Sequence, residues 1–443
     1  MFSTPQKNIQ KKVLSSVLPA LVFLLPWQTA YIFSEGELGG LSGVWQYGTI
    51  QLYGLDLVLV TLLALAVGTA WRAKAHGEPP LPVEVFLLIV LVSASFFSII
   101  FASDRAIAFI GAFRLLEGVG VYLLLRTVPF SMRSLAGWWV FGAVVQSALA
   151  IQQFAAQEVV ANSWLGMAFH SPKMLGDAVV ENADVRWMRA YGSFVHPNIL
   201  AVYGALGLAF LFFLVHEIEQ KWKLYVLFLC GACITAGLFF TFSRDGWIAL
   251  VCAGGASGVA VFLRRKKSGP TSERFSPVLV CALVCIMTAV LLSAVWWEPL
   301  SVRLGMQGWQ RLELKSTNER IDGIRGALSL APRHMEGIGI GNYTRVLASE
   351  KRDASRRFAS EYQPVHAVPL LILLEVGLLG FVAWALLIGY RIRRCFSNGV
   401  RPIDTALALL LIVPLFFDHF YWTLFSGVLM WWVGFGIFCK KGT

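Results

Sequence analysis

Apolar runs of about 18 residues or more, each long enough to cross the hydrocarbon core of a bilayer as a helix, recur along the whole chain. They predict twelve membrane helices, at residues 13–33, 49–71, 81–101, 106–125, 135–154, 197–215, 222–242, 246–263, 277–297, 366–390, 403–417 and 420–438. The eleventh is the shortest, and a tight turn at Asp418 and His419 separates it from the twelfth. The first follows Lys7, Lys11 and Lys12 as a secretory h-region would, but it is too long for one and no small-x-small cleavage site follows it, so it reads as a span. Two long polar segments interrupt the pattern, 155–196 and 298–365, and the second is long enough to carry structure of its own. Inside it, Ser316-Thr317-Asn318-Glu319 has the form of a capping box, and Ile321, Ile324 and Leu328 follow at helical spacing up to Pro332. This predicts a short amphipathic helix with Arg320 on its first turn. The fold class expected is an all-α integral membrane protein of about twelve spans with a large loop between helices 9 and 10. Residues 1–154 form an N-terminal set of five helices, and 155–443 hold both loops.

Composition agrees: 57% of the 443 residues are hydrophobic and only 14% charged, more apolar surface than a soluble domain of this size can hide. The formal net charge of +11 invites a nucleic-acid reading until it is sorted by loop. Alternate loops hold Arg72 and Lys74, Arg126 and Arg133, Lys221 and Lys223, the run 264–267 with Arg274, then Arg391, Arg393, Arg394 and Arg401, and finally Lys440 and Lys441. The short loops between them hold only Arg105 and Arg244. This asymmetry predicts both termini inside and the two long segments outside, and it explains the charge without nucleic acid. The seven cysteines all lie in or at the ends of apolar segments, which suggests no disulfide framework. Cys230-x-x-Cys233 has no His or acidic partner nearby and reads as packing.

Three stretches at the outer ends of predicted helices carry candidate chemistry. In the stretch 186–204, Pro197 suits a first helical turn and Asn198 sits beside it; His196 is interfacial, and Arg189 stands among aromatics where a cation can meet a lipid phosphate. In "FTFSRDGWIALV", Arg244 occupies a very short turn between long apolar helices, with Asp245 as its obvious partner, or else free to wait for an anion. In "EYQPVHAVPLLILLEVGLLG", His366 stands at the border between loop and membrane helix, where it can serve as a general base. Glu375, nine residues on, falls on the opposite helix face and cannot orient it, so another group must. Arg114 and Glu117, three apart within a span, read as a neutralising pair. "GIGIGNY" (337–343) reads as a tight, backbone-exposed turn, and Glu35-x-Glu37 as a solvated one.

Taken together, "RAYGSFVHPN", "TFSRDGW", "NERIDGIRGALSLAPRHMEGIGIGNY", "HAVPLLILLEVGLLG" and "FFDHFYWTLFSGVLMWW" resemble the O-antigen ligase and O-antigen polymerase superfamily of bacterial envelope proteins, over about residues 186–432. The resemblance implies a membrane-embedded, glycosyltransferase-C-like enzyme on the outer face of the cytoplasmic membrane. Its substrates would be a glycan on an undecaprenyl-diphosphate carrier and a hydroxyl on lipid A core, a growing polysaccharide or another surface acceptor, with no nucleotide sugar, metal or other cofactor. By the same resemblance, Arg244 and Arg320 would hold the diphosphate, His366 would be the base of an inverting displacement, and Arg189, His196 and Asn198 would help bind substrate. Ala367 stands where the family pattern has Asn, Ser or Gln, and Ile324 where Trp is common. Rival readings are a twelve-helix transporter or flippase, a metal-dependent oligosaccharyltransferase using Glu35 and Glu37, and a non-catalytic scaffold. Ligase and polymerase are left undecided.

Overall fold

The computed structural model describes residues 5–70, 82–268, 275–307, 311–350, 356–397 and 399–440. In chain order the helices are α1 (Pro5–Leu24), α2 (Gly54–Ala70), α3 (Pro82–Ser98), α4 (Arg105–Thr127), α5 (Met132–Ala156), α6 (Pro197–Glu217), α7 (Lys221–Phe240), α8 (Arg244–Ser268) and α9 (Phe275–Val295). There follow α10 (Trp297–Arg303), α11 (Arg311–Leu330), α12 (Tyr343–Glu350), α13 (Val368–Glu375), α14 (Gly377–Ser397), α15 (Pro402–Ile412), α16 (Phe420–Thr423) and α17 (Phe425–Ile437). Two small antiparallel hairpins join them, β1 (Ala30–Ser34) with β2 (Ile50–Tyr53) and β3 (Val179–Glu181) with β4 (Arg186–Met188).

Among the described residues, seven helices are long and apolar enough to cross a membrane, and shorter apolar helices lie at Val13–Leu24, Gly54–Ala66, Pro402–Phe416 and Phe425–Ile437. The chain is a multi-pass membrane protein. Helix α6 is its axis: it is apolar all round and packs against α5, α7, α8, α9 and α15, so nearly every side chain is buried. By contrast α9, equally apolar, leaves most of its surface open, as suits a helix solvated by lipid.

Several expectations need correction. The first apolar run does not stay helical to residue 33: α1 ends at Leu24, and Ala30–Ser34 pairs with β2 as a strand. The amphipathic loop helix begins at Arg311, so Ser316 lies inside it and caps nothing; Thr317 bonds back to the Glu313 carbonyl at 3.0 Å. Cys395 and Cys439 form a disulfide, joining the end of α14 to the segment after α17. The apolar spacing hid this pair because the two cysteines are far apart in sequence. Arg72, Lys74, Arg274 and Lys441 lie outside the described residues.

One end of the bundle is held by buried ions. Glu84 of α3 accepts from Tyr122 at 3.0 Å and from Arg391 of α14 at 3.3 Å, while Lys440 donates to the Leu125 and Val128 carbonyls at 2.7 and 3.0 Å. Charges this deep need such partners, and in satisfying one another they tie α3, α4, α14 and the chain end together.

The predicted helix at 366–390 is broken into α13 and α14, and the glycine turn explains why. Ile338 and Gly339 donate their amides to the Leu374 and Glu375 carbonyls, both at 2.9 Å, which satisfies the exposed end of α13. Gly377 then starts α14 with φ +84°, and a Cβ there would lie 2.7 Å from the Glu336 carbonyl. A side chain at this position meets both left-handed strain and backbone. We expect Gly377→Ala to lower stability by about 1–3 kcal/mol, read as a fall in the thermal unfolding midpoint of the detergent-solubilised protein. An unchanged midpoint would refute the close packing described.

Candidate functional site

At the other end of the bundle, the chain before α6 and the turn before α16 meet. His196 has extended backbone and its Nδ1 accepts the Asn198 amide at 3.2 Å; Pro197, without an amide, fills the first helical position. The buried Asn198 side chain then bridges two charges. Its Nδ2 donates to Asp418 at 2.7 Å, and its Oδ1 accepts from the Arg189 guanidinium at 2.6 Å, whose Nε in turn donates to the Thr241 carbonyl at 2.7 Å. Asp418 also accepts the His419 amide at 2.7 Å and faces His366 Nδ1 at 3.6 Å. His366 and His419 lie ring to ring at 4.9 Å, and His419 Nδ1 meets the Thr423 hydroxyl at 2.6 Å.

Burial sets the charges of this cluster. It pushes His196 and His419 down to about 3, against the pull of Asp418, so both are neutral near pH 7. Burial also lowers Arg189, to about 9, helped by the nearby charge of Arg303. For Asp418, burial acts in the raising direction, but the hydrogen-bonding and charged groups around it, His366 foremost, win and hold the carboxyl well below its ordinary value. A fixed anion therefore faces a partly exposed ring: the side chain of His366 is 24% accessible.

Four arginines approach the same region. Arg320 of α11 grips Asp245 through two nitrogens, at 3.0 and 3.5 Å, and lies near enough to act on the charge of His419. Arg244 pairs with Glu313 at 2.9 Å, and Arg303 pairs with the other oxygen of Glu313 while donating to the Phe242 carbonyl at 2.8 Å. Arg303, Asp245 and Glu313 all act on Arg189, which closes the circle back to Asn198. Beside His366 opens a cavity of about 290 Å³, lined by Glu319, Asp322, Gly323, Tyr362, Gln363 and Pro364 among others.

The residues singled out from the sequence thus come together: His366, Arg244, Arg320, Arg189, His196 and Asn198 share one end of the bundle. Their pairings differ from the expected ones. Asp245 serves Arg320 rather than Arg244. Arg189, expected to meet a lipid phosphate, is 6% exposed and turned inward, with Nε and Nη2 bonded within the protein. The group facing His366 is Asp418, at 3.6 Å, and Glu375 is occupied elsewhere, accepting from Trp422 Nε1 at 2.7 Å and from the Tyr343 amide at 3.2 Å. Sequence reasoning missed Arg303, Glu313, Asp418 and His419 as members of this cluster. A signal existed for the last two: polar residues within an otherwise apolar run. Arg303 and Glu313 had none, since their meeting depends on how the loop folds back. Position 367 also gains a meaning, as the N-cap of α13, extended at φ −153° and with no side-chain bond to the helix.

His366, Asp418 and His419 are also a possible metal-ligand set, with ligand atoms all within 4.8 Å of one another. Two imidazoles and a carboxylate suit a borderline divalent ion. However, the Asp418 oxygens and His419 Nδ1 already have protein partners.

Residues 229–385 match the family model described as O-antigen ligase. The chain is a membrane protein carrying an O-antigen ligase family domain. The match covers about a third of the chain, narrower than the 186–432 over which motifs were recognised, and holds Arg244, Arg303, Glu313, Arg320 and His366. Asp418 and Asn198, the groups facing and bracing His366, lie outside it. A search among curated proteins finds no match.

Two stability outcomes follow from this geometry. Arg303→Ala leaves Glu313 paired with Arg244 and should cost roughly 1.5–3 kcal/mol, the range of a hydrogen bond to a charged group, measured by thermal or denaturant unfolding; a loss below about 1 kcal/mol, the range of exposed pairs, would mean the pair is solvated. Ala367→Ser supplies the missing cap and should stabilise by about 0.5–2 kcal/mol, seen as a raised unfolding midpoint, with a lowered one counting against the capping role.

Proposed function

We propose that the chain transfers a glycan from an undecaprenyl-diphosphate carrier to a hydroxyl acceptor at the cluster of His366 and the arginines. The family domain supports glycan transfer of the O-antigen ligase or polymerase type in the membrane. The observation that carries the finer reading is His366, partly exposed beside a cavity, with the fixed anion Asp418 behind it, Arg320 near enough to act on the adjoining His419, and Arg244 joined to Arg303 through Glu313.

The chemistry asks for these parts. Asp418 favours a proton on His366 Nδ1, which leaves Nε2 to accept one. The 3.6 Å gap shortens as substrate orders the ring, as is usual for catalytic hydrogen bonds in unliganded enzymes. The acceptor hydroxyl gives its proton to Nε2 while its oxygen attacks the anomeric carbon. The bond from that carbon to the diphosphate breaks on the opposite face, so the configuration inverts with no covalent sugar–enzyme intermediate. Negative charge gathers on the departing diphosphate, and Arg244 and Arg320, preorganised by Glu313 and Asp245, stabilise it. Those carboxylates keep the guanidiniums aligned before a phosphate arrives. Arg189 acts through Asn198 on Asp418 and is a positioning residue. On this reading the site lies at the outer leaflet of the bacterial cytoplasmic membrane, where lipid-linked glycans and their acceptors are presented.

The grouping of His366, Asp418 and His419 gives a metal-assisted transfer its own footing. One experiment separates the readings. Purified protein is given an undecaprenyl-diphosphate oligosaccharide with and without acceptors, and products are resolved by size. A ladder marks a polymerase and a single shifted acceptor a ligase. His366→Ala should lower turnover at least ~10²-fold, the low end for a general base, while donor still binds; Arg244→Ala should weaken donor binding itself. Turnover that survives His366→Ala defeats the base assignment. Full activity after exhaustive chelation is expected, and loss restored by one divalent ion would replace the proposal with the metal reading.

A further inference from the structure

A second cavity, of about 200 Å³, opens beside Trp422 and Thr423 of α16, the helix that follows His419. It is walled by β2 and the loop before it, by α4, by the start of α12, by the end of α13, and by α16 and α17. We infer that it is a sugar-ring subsite, built to hold one pyranose of a glycan beside the reaction centre. The inference rests on the glycan-transfer reading for the identity of the ligand, but not for the existence of the site.

A pyranose has flat C–H faces and a rim of hydroxyls, and this wall answers both. Tyr53 stacks on Phe425 at 4.1 Å, and the Arg114 guanidinium lies over both rings, at 5.2 and 4.5 Å, forming a layered planar surface. Tyr47, Tyr343 and Trp422 add further aromatic wall. Polar groups are placed at intervals around it: Thr49, Gln51, Thr344, Thr423, Arg114 and Glu375. Pockets that combine aromatic walls with a few fixed polar groups are the usual form of a small-molecule site, and this one is below the ~300–1,000 Å³ that takes drug-sized ligands, so it suits a single ring.

The fixing of these groups is elaborate for a lining with no ligand. Arg114 is held by Asp56, by Glu117 at 3.0 Å and by the Gln51 carbonyl at 3.0 Å, all around the first turns of α2 and the middle of α4. Such ions within apolar helices are costly and mark functional cavities. Glu375 is held by Trp422 and by the Tyr343 amide, an arrangement that the break between α13 and α14 makes possible. The cavity also touches the reaction centre physically. Thr423, which lines it, bonds His419, and Tyr47, which also lines it, packs on the His419 ring at 5.7 Å and donates to Gln363, three residues before His366, at 2.7 Å. Pro364 lines both this cavity and the one beside His366.

The ring can come from the acceptor or from the transferred glycan, and the test separates them. The full-length protein in nanodiscs is examined by saturation-transfer NMR with glucose, N-acetylglucosamine and glucosamine, and with sorbitol as the open-chain control. At least one ring sugar should give transfer above sorbitol. Thr344→Trp, which fills the cavity, should abolish it, and Gln51→Leu should weaken it about tenfold, the worth of roughly one polar contact. His366→Ala should leave it intact. Thermal unfolding shows whether each variant is folded. No ring sugar above sorbitol, or transfer unaffected by a folded Thr344→Trp, overturns the subsite. Because this readout needs no turnover, failure of the His366 assignment leaves it standing. In the transfer assay, a raised KM for acceptor alone in Thr344→Trp assigns the ring to the acceptor, and a raised KM for donor alone assigns it to the transferred glycan; both unchanged counts against a role in the reaction.

Discussion

Asp418 is the constraint on which the site depends. It is a buried anion in a turn between apolar helices, and a lone carboxylate there would be prohibitively costly. Two groups donate to it, Asn198 from the start of α6 and the backbone of its own turn, and the imidazole of His366 before α13 stands 3.6 Å away. Each of those groups is placed by the need to answer this charge. Arg189 then extends the network to the turn between α7 and α8 through Thr241, so four separate parts of the chain are registered on one another at the mouth of the bundle.

The same logic distinguishes the two ends of the molecule. At one end, Glu84 accepts from Tyr122 and Arg391, and Arg391 and Lys440 donate to backbone carbonyls. At the other, Glu313 and Asp245 hold three arginines, and His366 is partly exposed beside a cavity. Paired charges in the first place stabilise packing. In the second they fix the orientation of guanidinium groups beside a cavity.

Irregular backbone is confined to where it is answered. The break after Glu375 is tolerated because the glycine turn at 337–341 donates to the carbonyls it exposes. That turn read in the sequence as a tight, backbone-exposed one. Its purpose is structural, and it also frees Glu375 to meet Trp422 and line the second cavity.

The sequence by itself determined the membrane character, the approximate places of the spans and the polar segments between them, and it drew attention to His366 and Arg244 at helix ends, because hydropathy and helix-end signals are local. The start of α6 was equally legible, since Pro197 and Asn198 carry their reasons within one helical turn. What only the tertiary structure decided were partnerships across the chain. Asp418 faces His366 from 52 residues away, Glu313 joins Arg244 to Arg303, and Cys395 meets Cys439. Such pairs are fixed by where helices pack and loops fold back, and nothing in the spacing of one segment records the approach of another. The end of α1 at Leu24 shows the same limit: apolar residues beyond it suit a helix or a strand equally, and the pairing with β2 made the choice.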